Sequence, residues 1–297
     1  MKAMFKASKL LVVLLSVLFI NTVSQAQIKI LSGVKGGFYE ALANDIKGVS
    51  HQDVTVINSK GSVDNYDQLV GDNDIIVSFL QYDVLLIHEL QNPNLRKELR
   101  ILLPLFLDEE IHLIVRRDSK IKKLKHLKGK RVAIGDKYQG TLVTAQTIKK
   151  KTKVDWIDVV MSSEKAYAAL LRGDIDAYFF VGGAPVALLA GEGESVPIRL
   201  LNIKKSSLSD IYTKKVIEGG TYPWQKESIT TYAVPTIMVA NIKGMNDDTQ
   251  EKLNMLLKDT EDGLKGFQKT GHPKWQDVYT ESQSVDWPYY YSKPVVK

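Results

Sequence analysis

The stretch VAIGDKYQGTLVTAQTIKK (Val132–Lys150) passes from an apolar segment through a glycine-punctuated loop into a helical pattern. A junction of this kind leaves first-turn N–H groups without intrahelical acceptors, and the positive end of the helix dipole favours an anion there. The nucleotide-binding version requires Gly-x4-Gly-Lys-Ser/Thr, with lysine for the terminal phosphates and a hydroxyl for magnesium. Gly135 and Gly140 have that spacing, but Thr141 and Leu142 follow them, so the phosphate-loop reading fails and a different small anion remains. Other loops share the character: Lys35-Gly36-Gly37 ahead of Phe38 and Tyr39, Lys60-Gly61-Ser62, and Gly182-Gly183-Ala184 ahead of Pro185, a residue suited to a first helical turn. Gln81 follows a strand end, where it either faces the same region or takes a first-turn helix position on its rim. The candidate ligand-contacting set is therefore Gly37, Phe38, Tyr39, Gly61, Ser62, Gln81, Lys137, Tyr138, Gln139, Gly140, Thr141, Thr144, Gly182, Gly183 and Ala184.

Other chemistry finds little support. The chain has no cysteine and no Gly-x-Ser-x-Gly elbow, and its 5 histidines are scattered, so neither a nucleophile with its base nor a metal-ligand cluster stands out. Asp72, Asp74, Asp174 and Asp176 sit at helix–strand corners, where acids cap or solvate the turn. No catalytic residue, metal ligand or cofactor is expected. Of Tyr178, Phe179 and Phe180, alternation sends two into the core and leaves at most one for a ligand.

The elements that must position these loops alternate. IKILSG, DVTVINS and IIVSFL read as strands, separated by helices over FYEALANDIKG and from Ser62, as its cap, through Val70. A second series runs RVAIG, a helix from Thr141, WIDVVMS, a helix from Ser163, DAYFFVGG and IRLLNI. Such alternation predicts an α/β fold with parallel sheets. DQLVGDNDIIVSFL and AALLRGDIDAYFFV look like copies of one unit, each ending its helix on a glycine (Gly71, Gly173) able to adopt the left-handed conformation. One βαβ unit per lobe follows. EEIHLIVRRD (109–118) and TYAVPTIMVAN (231–241) then read as the crossovers between two lobes, the second an edge or bent strand because of Pro235. The expected divisions are residues 27–113 for the first part of lobe I, 114–232 for lobe II, and 233–297 for the rest of lobe I with a C-terminal tail packed upon it. Lys120–Arg131 reads as a solvated amphipathic helix.

Lys2, Lys6 and Lys9 precede an apolar run, Leu10–Ile20, too short for the roughly 20 residues that span a bilayer. Ser24-Gln25-Ala26 follows as a cleavage signal, so residues 1–26 read as a leader for export to the periplasm, without a lipid-attachment cysteine. Half of the formal charge of +6 belongs to those three lysines, and no arginine-rich stripe suggests nucleic acid as a partner.

Six segments in order, GGFYEALANDI, GSVDNYDQL, EEIHLIVRRDSKIKKLKHLKGKRVAIG, GTLVTA, GDIDAYFFVGGAPVALL and YAVPTIMVA, resemble the TAXI class of solute-binding proteins that serve TRAP transporters. The resemblance covers nearly all of the chain after residue 26. It implies a two-lobed periplasmic binding protein of type II-like fold, a monomer without enzyme activity, that closes by hinge motion over a small organic solute. It further implies transfer of that solute to TRAP membrane subunits, fused into one chain, and a glutamate-like or dicarboxylate ligand. Tyr39 matches the class's ligand-contacting tyrosine, with Phe38 as the alternative. Where the class carries Gly-Pro-Pro-Gly-Ser-Gly-Thr, this chain has Gly135-Asp136-Lys137-Tyr138-Gln139-Gly140-Thr141, which directs attention to Tyr138 and Gln139 for specificity. The same fold would also serve a solitary sensor that presents its ligand to a membrane receptor kinase.

Overall fold

Runs of branched apolar residues bounded by glycine and acidic turns build the first half of the chain: β1 (Ile28–Leu31), α1 (Phe38–Val49), β2 (Val54–Ile57), α2 (Ser62–Gly71), β3 (Val77–Gln81), α3 (Tyr82–Glu89), the one-turn α4 (Leu95–Glu98) and the long β4 (Leu99–Arg116). The second series comprises β5 (Arg131–Ala133), α5 (Gly140–Thr152), β6 (Ile157–Val159), α6 (Ser163–Arg172), β7 (Ala177–Gly182), α7 (Ala187–Ala190), β8 (Ile198–Leu200), β9 (Thr213–Ile217), β10 (Ile229–Asn241) and α8 (Asp247–Thr270). The structure, a computed structural model, describes residues 27–72, 74–191, 197–278 and 285–291, without the side chains of 103–107 and 277. The leader at 1–26 and part of the C-terminal tail lie outside the described residues.

The strands run in the order β2-β1-β3-β10-β4-β7-β5-β6, with β8 on β4 and β9 on β10. β1, β2 and β3 are mutually parallel, as are β5, β6 and β7, while β4 and β10 lie antiparallel to their neighbours between the two groups. Two parallel α/β lobes therefore share two long strands. Period-two alternation covers both faces of each lobe. Ile28, Ile30, Val77, Phe79 and Met238 meet α1 and α8 on one side, and Leu31, Leu80, Ile237 and Val239 meet α2 and α3 on the other. In the second lobe Val132, Phe179 and Val181 face one core and Ala133 and Tyr178 the opposite one.

Several local expectations change. β4 begins at Leu99, ten residues before Glu109, because its first half pairs with β10 from Asn241 back through Thr236. β10 is central, with β4 on one side and β9 then β3 on the other. Pro235 falls between the end of β9 pairing at Ala233 and the start of β3 pairing at Thr236, a gap that accommodates a residue with no N–H. Lys120–Arg131 holds only a 3-10 turn at Leu124–Leu127, yet Ile121, Leu124 and Leu127 are buried, since their three-residue spacing also fits that tighter helix. Gly173 ends α6 with φ +83°, whereas Gly71 remains helical and extended Asp72 ends α2. Gly61, not Ser62, is the N-cap of α2. Asn246 caps α8 by accepting from Thr249 N at 2.8 Å. The tail segment 285–291 packs on the first lobe, with Trp287 buried and Tyr290 N donating to Ile101 O.

Asn65 ties the first lobe together at its carboxyl-end edge. It is fully buried, and its Nδ2 donates to Ser32 O (2.5 Å), just after β1, and to Phe79 O (2.7 Å), in the middle of β3. Asn65→Ala removes two buried hydrogen bonds and is expected to lower unfolding free energy by about 1–3 kcal/mol. Urea denaturation measures this, and a loss below about 0.5 kcal/mol would show that the tie is dispensable.

Candidate functional site

The carboxyl ends of β1, β3 and β7 and the loops after them surround a cavity of about 410 Å³ between the lobes. That volume suits a small organic molecule. Gly33–Tyr39, Lys60–Ser62, Gln81, Glu109 and His272 line it from the first lobe, and Gln139–Thr141, Ser163, Glu164, Phe180–Gly183 and Pro185–Leu188 from the second. Of the residues expected from sequence, Gly37, Phe38, Tyr39, Gly61, Ser62, Gln81, Gln139, Gly140, Thr141, Gly182 and Gly183 are thus brought together. Phe180 is the one member of its aromatic triplet on the cavity, while Tyr178 and Phe179 are core.

Four expected residues are elsewhere. Lys137 is exposed, its ammonium 4.7 Å from the Tyr138 ring centre, and Lys60 approaches the same ring at 4.2 Å. Tyr138 is outside the cavity lining, and its carbonyl accepts from Val63 N and Asp64 N, both at 3.1 Å. The first-turn amides of α2, expected to hold an anion, are thereby satisfied across the cleft by a peptide of the opposite lobe. Thr144 is fully buried and donates to Asp83 Oδ2 at 2.7 Å, facing α3 and not the cavity. Ala184 turns its N–H to Glu110 Oε2 at 2.7 Å. Pro185 does not open a helix, because α7 starts at Ala187 and has four residues. Trp224, beside this region in the second lobe, is core: it stacks on Tyr222 and donates to Leu189 O.

The remaining helix starts do open on the cavity. α1 is capped by Gly37 and α5 by Gln139, neither with a side-chain cap bond, and the first residues of both helices line the space. Their orphan amides make these ends suited to a carboxylate. Thr141 Oγ1 accepts from Val181 N at 3.2 Å, which holds the end of β7 against the start of α5. Gly140 sits so close to Gln81 that a Cβ there would collide with the Gln81 amide. Gly183 similarly passes the Lys274 stem, with 2.9 Å from a would-be Cβ to Cε.

Glu109 is the functional residue that sequence reasoning missed. It is buried on β4, and it accepts from Tyr39 Oη at 2.5 Å, from Gln81 Nε2 at 3.0 Å and from Thr236 Oγ1. Burial pushes its carboxyl up to about 7 despite these three bonds. Asp83, likewise buried and bonded to Thr144 and Tyr212 of the second lobe, is pushed up to about 6. The signal was present in Asp108-Glu109-Glu110, three acids in the middle of a strand with largely apolar stretches, 101–107 and 111–115, on either side. Among the described residues no group of three His, Asp or Glu is placed to hold a metal, and no helix is long and apolar enough to cross a membrane.

Because the folded-state pKa of Glu109 lies above its ordinary value, folded protein retains a proton that unfolded chain has lost between pH about 4.5 and 7. This group's contribution to stability therefore falls as pH rises through that window. Glu109→Gln removes the dependence, so its melting temperature relative to wild type should rise from pH 5 to pH 8. Asp83 is present in both proteins, and because its like charge helps raise the Glu109 pKa, replacing Glu109 relieves that repulsion in the same sense. An identical offset at both pH values, by thermal denaturation, would contradict the burial argument.

Three solved structures share this architecture at low identity. A TctC solute-binding protein from Polaromonas, without ligand, is 16% identical with a TM-score of 0.50 over 84% of this chain and 86% of that one. The periplasmic VFT2 domain of Bordetella pertussis BvgS is 9% identical with a TM-score of 0.50 over 86% and 92%. A protein of Archaeoglobus fulgidus is 11% identical with a TM-score of 0.52 over 85% and 86%. Likeness at such identities establishes the fold, which is that of two-lobed periplasmic binding proteins. A family model for NMT1-like proteins matches residues 32–273, a span that includes every strand after β1 and every wall of the cavity, and the chain belongs to the NMT1-like family.

Proposed function

We propose that this protein is the extracytoplasmic solute-binding subunit of a TRAP transporter of the TAXI class, exported by its leader and working as a monomer without enzyme activity. It captures a small organic acid or amino acid between lobe I (27–113 and 233–297) and lobe II (114–232). The observation that carries this reading is the placement of the cavity. Both lobes supply its walls, two helix starts with orphan amides (α1 and α5) open on it, and β4 and β10 cross beside it. A ligand that touches both walls stabilises their approach, so binding shifts the population toward closure. Lys35 and Lys60 on the lining add positive potential for an acid.

Tyr39 and Thr141 act from opposite lobes, Tyr39 as wall and support of Glu109, Thr141 as the brace of β7. Tyr39→Ala and Thr141→Ala are each expected to weaken solute binding about tenfold or more while circular dichroism remains that of folded protein. Wild-type affinity in both variants would remove the site assignment.

A thermal-shift screen of amino acids, dicarboxylates and keto acids tests the ligand class. A true ligand at about 100 times its Kd adds roughly 2.7 kcal/mol of stability. Response only to sugars or nucleosides would overturn the acid reading. For the partner, deletion of the gene should abolish uptake of the identified solute, and intact uptake with lost signalling would instead mark a sensor.

A further inference from the structure

Two buried acceptors, the Glu109 carboxylate and the Gln81 amide oxygen, meet on the cavity wall. Glu109 is 5% exposed, and its three hydrogen-bond donors, Tyr39, Gln81 and Thr236, are all uncharged. Among the described residues it has no ion pair, although its sequence neighbours do: Asp108 with Lys215 at 3.0 Å and Glu110 with Lys274 at 2.7 Å. The charged group it senses is Asp83, of its own sign. Gln81 is 3% exposed, and while its Nε2 is spent on Glu109, its Oε1 has no hydrogen-bond partner. That oxygen lies against Gly140 at the start of α5, where both residues line the cavity. Buried carboxylates are normally paired, and a buried carbonyl without a donor calls for one.

We propose that Glu109 and Gln81 form a subsite for a cationic, N–H-rich head group of the solute, an ammonium or amidinium, so that the ligand is an amine-bearing molecule and not a plain dicarboxylate. This rests on the reading of the cavity as the solute site. An ammonium supplies three donors and a full charge, which fits one free acceptor on Gln81 and the remaining lone pair on Glu109 Oε2. A second carboxylate placed here would face two acceptors. The opposite end of the same molecule, if acidic, has the first-turn amides of α1 and α5 and the rim lysines Lys35 and Lys60. The subsite thus separates amino acids from the acids that share their carbon skeletons.

The test uses purified full-length mature protein and matched probes: L-glutamate against glutarate, 4-aminobutyrate against butyrate, and 1,5-diaminopentane as an amine with no carboxylate. Calorimetry and thermal shift should show the amine member of at least one pair binding about tenfold or more tighter than its nitrogen-free counterpart. Glu109→Gln should erase that preference, and Gln81→Leu, which removes the orphan oxygen, should reduce it and serves where Glu109→Gln fails to fold. Wild-type affinity for the amine should also fall from pH 8 to pH 6, with proton release on binding, as Glu109 must be ionised to receive it. The other titratable groups on the lining, Tyr39, Lys35, Lys60, Glu164 and His272, and Asp83 behind it are all unchanged in Glu109→Gln, so loss of the pH dependence in that variant assigns it to Glu109. Glutarate and butyrate each binding as tightly as its amine partner overturns the proposal. Binding of 1,5-diaminopentane but of no acid upholds the subsite and overturns the acid-binding reading above. A response confined to sugars overturns both, as does silence across every probe.

Discussion

The antiparallel pair β4–β10 is the constraint on which the remainder of the molecule depends. Ala233, Val234 and Pro235 oppose Glu110, Glu109 and Asp108, and at this point both strands leave one lobe for the other. Three consecutive acids are buried there, an expensive arrangement that folding tolerates only where each finds compensation. Asp108 and Glu110 are matched by lysines that arrive from β9 and from the segment after α8. Glu109, whose side chain alternation sends to the other side of the strand, is matched by hydroxyls and an amide alone. The crossing therefore sets both the mechanical axis of the molecule and the polarity of its cavity.

Contacts between the lobes are few and specific. The Tyr138 peptide fills the α2 amides, and Asp83 receives Thr144 and Tyr212. Glu110 joins Lys274 of the first lobe to the Ala184 amide of the second. Each is a hydrogen bond between groups that water can also satisfy, and each contributes modestly in net terms. Apolar packing forms clusters on the two faces of each half of the sheet, with Val143 of α5 reaching into a first-lobe cluster. Lobes that each carry their own core and meet mainly through polar contacts can move relative to one another.

Much of this was legible without coordinates. The parallel strands β1 to β3 and β5 to β7 follow from short apolar runs set between helical patterns, and the glycine loops before Phe38 and Thr141 do lie on the cavity. Less legible were the first half of β4, where Pro104 interrupts the pattern, and the Lys120–Arg131 segment, where three-residue spacing serves a 3-10 turn as well as an α-helix. Tyr138 and Thr144 belonged to a correctly identified loop and helix. Their neighbours across the cleft decided what they do, and those neighbours are distant in sequence.

Sequence alone determined the α/β alternation, the two-lobed plan and most of the loops that line the cavity, because periodicity, capping and glycine placement express local backbone geometry. Only the tertiary structure decided which of three adjacent acids lacks a cation. The lysines that neutralise Asp108 and Glu110 lie 107 and 164 residues away, and no spacing rule connects them. The same holds for Gln81, whose unpartnered oxygen arises from the approach of Gly140 in the opposite lobe. Local chemistry placed donors around a cavity, and long-range packing left two acceptors inside it.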